Sequence, residues 1–466
     1  MRQAPLEERE FTPGHIVEWE LLPTAMRGAA GPAQARGVTS YTQEKYLAAA
    51  QEARTTDESI TSYVAVTFEL PGPLDREALE AALLLLVRRH EVLRCTFQQL
   101  SGDPACDVLG PDEVALKLVD VGPFGGSAGI HAFLAESFRR IDTLNGPLFV
   151  MGAVIGDTST TVYLAFDHLL SDGMSAPLVV RDVGVAYTSY ARGDQPELPE
   201  AGSYLAFSRA QLARNQEIDA DDPRLDYWKA FTARNGGFFP RSPLDLGVEP
   251  GRMYPVRNDT ETLLDGDAAD AMEARCRAVG GNLSLGVLAA VGVALREEGG
   301  PEVFRAVIPV SERGRGSYAH SLGWFANPMP IEFSVAREED FAAVVGNAGT
   351  ASVEMLRNAG VPFVKAWHLL APEYAELGAW PFPVNFFSYL DFRKVPGAER
   401  HAEWKPMGHA WVPQSNGVGY WFHRNDAGLH MNRICVDTPR AGRAQAAFGR
   451  GLAETLRNVV CDGTFR

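Results

Sequence analysis

The stretch Phe166-Asp167-His168-Leu169-Leu170-Ser171-Asp172-Gly173 follows directly on Thr161-Val162-Tyr163-Leu164-Ala165. β-Branched, aromatic and apolar residues ahead of a polar cluster predict a buried strand that ends where the polar residues begin. Beyond the cluster, Leu178, Val179, Val183, Ala186, Tyr187 and Tyr190 recur at helical spacing, so Met174 to Ala191 is predicted as a helix. The order is strand, loop, helix. His168 is a candidate general base, because a neutral imidazole takes a proton near neutral pH and returns it later in a reaction. Gly173 would let the backbone turn tightly after Asp172. Taken alone, the same spacing also fits a hydrogen-bonded structural histidine, so its flanks must decide.

Those flanks are Phe138-Arg139-Arg140-Ile141-Asp142, Gly146-Pro147-Leu148, a strand through Val154-Ile155 and the turn Gly156-Asp157, leading into His-x-x-x-Asp-Gly-x-Ser. Upstream stands Leu85-Leu86-Val87-Arg88-Arg89-His90-Glu91-Val92-Leu93-Arg94-Cys95-Thr96-Phe97, and downstream Leu322-Gly323-Trp324-Phe325-Ala326-Asn327-Pro328-Met329-Pro330 and Val361-Pro362-Phe363. Together these blocks resemble a condensation domain, of the superfamily of thioester-dependent acyltransferases that includes chloramphenicol acetyltransferase. The resemblance implies an α/β fold of two chloramphenicol acetyltransferase-like lobes, a V-shaped pseudo-dimer with the active-site tunnel at their interface. It implies His168 as the catalytic residue. Asp172 and Gly173 would support the site, Asp172 by pairing with an arginine of the upstream block, Arg94 first and Arg89 second.

Condensation domains carry two adjacent histidines, and Asp167 stands where the first would be. Its absence is also typical of the polyketide-associated (Pap) acyltransferases, which join acyl chains to hydroxyls, and Ser40-Tyr41-Thr42-Gln43 is similar to their entry segment. Ester and amide formation both stay open. Asp167, Ser175, Trp324 and Asn327 are candidates for lining the substrate channel, with a structural role as the alternative for Asp167. The aromatic-rich segment from Trp380 to Phe392 is divided between channel and core.

Composition sets outer limits. The 466 residues, 46% hydrophobic and 22% charged, suit a globular chain with two sizeable cores. A net charge of -16 argues against nucleic acid as a partner, which demands a basic surface. It also makes docking of an acidic carrier protein depend on a local basic patch, with Arg88, Arg89, Arg313 and Arg315 as candidates. Five scattered cysteines without CxxC suggest neither a disulfide frame nor a metal site. The N-terminus lacks the layout of a signal peptide, and no uninterrupted apolar window approaches the roughly eighteen residues of a membrane span. The expectation is a cytoplasmic enzyme without stable membrane insertion.

Along the chain, Phe11 to Pro23 reads as an opening strand, 26 to 37 as a loop, and Tyr63 to Leu70 as a strand before a helix capped by Asp75. The Gly- and Pro-rich run Gly236 to Pro250 suggests a boundary. The expected division is an N-terminal lobe at 1–195, connecting helices at 196–240 and a C-terminal lobe at 241–466. One competing motif is present: Gly125-Gly126-Ser127-Ala128-Gly129 matches the nucleophile elbow GxSxG, but Gly122-Pro123-Phe124 is read as a turn that separates it from its strand.

The reading is an acyltransferase with no bound cofactor or metal. Its donor would be an acyl thioester on the phosphopantetheine of an acyl or peptidyl carrier protein, or on coenzyme A, and its acceptor a small-molecule hydroxyl or amine. The rivals are an acyl-coenzyme A-dependent O-acyltransferase, a non-catalytic platform for docking carrier proteins, and a serine hydrolase using Ser127.

Overall fold

The Ser159–Asp167 strand lies inside a seven-stranded sheet of the computed structural model, which describes residues 1–23, 37–55, 61–98, 105–314, 316–375, 377 and 381–465. It runs antiparallel to Tyr63–Pro71 on one side, with Tyr63 opposite Asp167, and to Phe149–Ile155 on the other, with Phe149 opposite Phe166. Paired on both edges and covered on both faces, Val162 to Phe166 are all buried. That is why the run is continuously apolar rather than alternating.

By contact pattern the chain forms two units. The first comprises Met1–Gln216, Ser311–Phe325 and Lys394–Val412. Its sheet runs in the order Arg2–Gln3, Met407–Trp411, Tyr63–Pro71, Ser159–Asp167, Phe149–Ile155, Gly14–Pro23 and Val114–Phe124. Arg76–Arg89 begins where the Asp75 carboxylate accepts the Ala78 N–H at 3.0 Å, as its position before the apolar-periodic run predicts. This helix packs with Ser175–Tyr190, whose residues are buried over most of its length.

The second unit, Glu217–Val310, Ala326–Arg393 and Pro413–Arg466, is built on a seven-stranded sheet. It runs Ala326–Ser334, Val303–Ser311, Asn385–Asp391, Val418–Asn425, Gly428–Val436, Tyr254–Asp265 and Gln414–Ser415. Leu283–Glu297 is buried nearly all round, as an all-apolar helix must be.

The division at 1–195, 196–240 and 241–466 is therefore redrawn. Met407–Trp411 pairs with Tyr63–Thr67 and completes the first sheet, because a strand edge is satisfied by whichever segment reaches it, however distant in sequence. Of the connecting helices, Tyr204–Asn215 belongs to the first unit and Asp226–Asn235 to the second.

The turn read at Gly122-Pro123-Phe124 is also corrected: the strand continues through Phe124, with a register shift at Ile16/Val17 of its partner that accommodates Gly122 at φ 112°. The loop read at 26–37 falls largely outside the described residues, as do Arg315 and Trp380. Of the aromatic segment, Phe387 and Phe392 are buried in the second unit's core.

Candidate active site

Asp167 ends its strand by capping the short turn His168–Leu170: its Oδ1 accepts the Leu169 N–H at 2.7 Å. Its Oδ2 accepts the Thr143 hydroxyl at 2.6 Å, and its own N–H is donated to Leu148 O at 2.8 Å. Asp167 is wholly buried, so both carboxylate oxygens are spent on holding the turn, and the channel-lining reading gives way to the structural one. Burial pushes its carboxyl up to about 7.

The sign of the linkage follows from that elevation. Between about 4 and 7 the folded state holds a proton that the unfolded chain has lost, so stability falls as pH rises through this window. Asp167→Asn keeps one acceptor for Leu169 N–H and presents an amide to the Thr143 hydroxyl. The variant is expected to lose this pH dependence and to gain on the wild type by on the order of 4 kcal/mol between pH 4 and pH 8. Urea midpoints at the two pH values check this, and parallel wild-type and variant curves would contradict it.

With its backbone N–H on Ser62 O at 3.0 Å, His168 leaves the strand and turns its ring toward Trp324, centroid to centroid 4.0 Å at an interplanar angle of 37°. Trp324 is itself fixed by an edge contact with Tyr46 at 5.6 Å and by the Tyr204 hydroxyl, which donates to its carbonyl at 2.9 Å. Burial lowers the His168 pKa below the ordinary imidazole value, so at pH 7 the ring is neutral. Its Nδ1 is buried without a hydrogen-bond partner among the described residues.

Asp172 is where the sequence expectation fails in detail. Its partner is Arg313, which donates from Nη1 to Oδ2 at 2.6 Å and from Nη2 to Oδ1 at 2.8 Å, both side chains 5% exposed. Phe325 N–H adds a bond to Oδ2 at 3.0 Å, Met174 N–H one to Oδ1 at 3.1 Å, and the Arg313 guanidinium lies 4.6 Å over the Phe325 ring. Arg94 instead donates to the carbonyls of Val87 and Leu109, and Arg89 to Asp182 at 2.9 Å. A guanidinium whose donors are taken by local carbonyls is unavailable to a distant carboxylate.

Ser175 belongs to this support and not to a channel: its hydroxyl donates to Asp172 Oδ1 at 3.1 Å and accepts the Asp172 N–H, also at 3.1 Å. Gly173 sits in the turn that Ser175 N–H closes on Asp172 O at 2.9 Å. Asn327 is likewise structural. In the second unit it donates to Ala359 O and Val361 O and accepts the Phe363 N–H at 2.8 Å, tying down the Val361-Pro362-Phe363 block.

The upstream block supplies a part that was not foreseen. His90 accepts the Leu322 N–H on Nδ1 at 3.3 Å, which leaves a proton on Nε2 for Asp182 Oδ2 at 2.9 Å. Burial keeps His90 neutral. Burial also pushes the Asp182 carboxyl up, but the His90 hydrogen bond and the charges of Arg181 and Arg89 outweigh it and hold it below the usual carboxylate range. Residues 321–325, which carry Trp324, are thereby tied to the helix Ser175–Tyr190.

Ser127 opens the helix Ser127–Arg139, and its hydroxyl accepts the Phe11 N–H at 3.2 Å. No base is bonded to it among the described residues, and Ser127→Ala is expected to leave acyl transfer unchanged in a turnover assay. No cluster of three or more histidine, cysteine or acidic side chains suited to a metal occurs among the described residues. No single helix among them is long and apolar enough to cross a membrane.

Residues 40–377 match the Condensation domain family. Among curated proteins, the trehalose-2-sulfate acyltransferase PapA2 of Mycobacterium tuberculosis is 28% identical over 335 residues, 70% of each chain. Among solved structures, the PapA2 acyl transferase superposes with a TM-score of 0.86 at 24% identity, over 99% of this chain and 100% of that one. The first condensation domain of the calcium-dependent antibiotic synthetase gives 0.68 at 18% identity, over 92% and 97%. These structures share the fold.

Proposed function

The chain belongs to the Condensation domain family, and from that premise we propose that it moves an acyl group from a phosphopantetheine thioester on a carrier protein to a hydroxyl or amine acceptor, with His168 as the general base. The observation that carries the reading is the neutral His168 ring, held against Trp324 on a loop locked by the Asp172–Arg313 pair. A side chain kept uncharged and fixed in position is prepared to receive a proton. The acyltransferase activity that the PapA2 relative carries in its name supports the same class of reaction.

In the proposed step the acceptor O–H or N–H gives its proton to the imidazole as its lone pair attacks the thioester carbonyl carbon. The tetrahedral intermediate then collapses, the C–S bond breaks, and the departing sulfur takes the proton back from the imidazolium. Atoms and charge balance without a covalent enzyme intermediate. Coenzyme A is the alternative donor, since it presents the same phosphopantetheine thioester. A non-catalytic docking platform is disfavoured by the intact His168 and its fully bonded support.

The test is intact-mass detection of acyl loss from a panel of acyl-carrier proteins and acyl-coenzyme A thioesters, offered mixed alcohol and amine acceptors. Transfer from one donor class names the donor. Tight carrier binding without transfer from any donor would replace this reading with the docking platform.

A further inference from the structure

His90 and Asp182 form a buried pair to which the proposed proton transfer gives no part. Both side chains are 1% exposed, and His90 ends the helix Arg76–Arg89, giving its backbone N–H to Leu86 O at 3.1 Å. Both ring nitrogens are engaged, Nδ1 by the Leu322 N–H and Nε2 by the Asp182 carboxylate. A ring with neither nitrogen free and no exposed edge has no means of exchanging a proton with a substrate, so the pair is not a second catalytic dyad. It holds backbone instead.

Asp182 is the hub. Its Oδ2 accepts His90 Nε2 and Arg89 Nε, each at 2.9 Å, and its Oδ1 accepts Arg181 Nε at 2.7 Å. Arg181 extends the network, Nη1 donating to His320 Nδ1 at 3.0 Å. From one carboxylate, two routes therefore reach the run that carries Trp324, at the His320 side chain and at the Leu322 backbone. They differ in consequence. After His320 the chain is pinned a second time, by the Ser321 hydroxyl donating to Gly202 O at 2.9 Å. Leu322 is 1% exposed, and its N–H has the His90 ring as acceptor. Removing that acceptor strands a buried donor, a cost that the segment relieves by shifting toward another acceptor. Trp324 lies two residues on, and its ring is the surface against which His168 rests at 4.0 Å. Arg313 and Tyr204 hold the carbonyls of Gly323 and Trp324, and His90 adds the grip on the donor side of the same run.

We propose that His90 is a positioning residue for acyl transfer: by accepting the Leu322 N–H it fixes Trp324, and through Trp324 the ring of His168. That role presupposes His168 as the general base. Asp182 serves it by keeping the His90 proton on Nε2, the tautomer that leaves Nδ1 free to accept.

Two substitutions separate the two bonds. In His90→Asn the side-chain oxygen takes the place of Nδ1 and still accepts the Leu322 N–H, while Asp182 is left to its two arginines. In His90→Gln the amide nitrogen takes the place of Nε2 and still donates to Asp182, while Leu322 loses its acceptor. Acyl transfer from the best donor found, melting temperature and deuterium exchange across residues 321–325 are measured for both beside the wild type. His90→Gln is expected to lower kcat by about tenfold to a hundredfold, the effect of a small displacement set off away from the chemistry, with KM for the donor changed by less than about threefold. Exchange across 321–325 should quicken. His90→Asn should keep kcat within about threefold of the wild type and leave that exchange as it was. Equal losses of kcat in the two variants, in step with melting temperature, would make the pair a stability element and overturn the proposal, as would wild-type kcat in His90→Gln. A wild type that transfers from no donor overturns the acyltransferase reading instead, and unchanged exchange in His90→Gln overturns the grip on Trp324 whatever the wild type transfers.

Discussion

Acyl transfer by a His168→Ala enzyme is expected to be slower than wild type by on the order of 10²–10⁴, the range that a positioned general base contributes. KM for the donor should change far less, because in the proposed step the ring acts as the proton moves and not in holding the thioester. The residual rate would come from binding and orientation, which the substitution leaves in place. Burial lowers the His168 pKa below the ordinary value near 6.5, so the wild-type rate should be level through neutrality and fall only at more acid pH. That acid limb should vanish in the variant. A variant with wild-type kcat/KM, or an acid limb centred at or above 6.5, would remove His168 from the reaction.

The same depressed pKa has a consequence for stability. Below pH 6.5 the unfolded chain binds a proton that folded His168 refuses, so stability drops as the solution is acidified. His90 and His409 act in the same direction, both lowered by burial, His409 to about 4. Asp167 and Glu312, each pushed up to about 7 by burial, act in the opposite direction over the same range. Comparing single variants therefore reports these groups more cleanly than the wild-type pH curve does.

The second large effect is on folding. Asp172→Ala is expected to cost about 3–5 kcal/mol, because it leaves the buried Arg313 guanidinium without its counter-charge. Against a typical total of about 5–15 kcal/mol, this brings the chain close to the edge of stability. Arg313→Ala should cost a similar amount. The double variant should cost less than the two together, since neither charge is then stranded. Asp172→Asn should fall between, because it still accepts the Phe325 N–H but gives up the ionic pair. Urea unfolding of the four variants measures all of this. Losses near 0.5 kcal/mol, as for an exposed residue, would mean that the pair does not hold the loop.

If the loop is held as drawn, Asp172 variants should lose activity in proportion to how far His168 and Trp324 drift from their 4.0 Å contact. Asp172 is thus a positioning residue. Its variants should show reduced kcat while keeping the acid limb of His168, a separation that simple unfolding would not produce.

Much of this was legible in the chain because it is local. Apolar continuity from Val162 to Phe166 marked a strand buried on both faces, and Asp75 ahead of a periodic apolar run marked a helix start. Strand, turn and helix around His168 follow from neighbours within a few residues. Asp167 as turn cap, Ser175 in the Asp172 network and Asn327 bridging Ala359 to Phe363 were less accessible, since each depends on which way a side chain points after packing. The roles offered for Ser175 and Asn327 were those of channel residues. A polar residue beside a functional motif carries no mark that separates a lining position from a supporting one.

By itself, then, the sequence determined the α/β class, the family resemblance and the segment bearing His168, since periodicity, caps and motif order are properties of adjacent residues. Tertiary structure alone decided that Asp172 pairs with Arg313, 141 positions away, and not with Arg94, and that Met407–Trp411 completes the first sheet. The reason is physical. Every arginine carries the same donors, and every strand edge the same unpaired backbone groups, so their partners are chosen by which of them the folded chain brings within 3 Å.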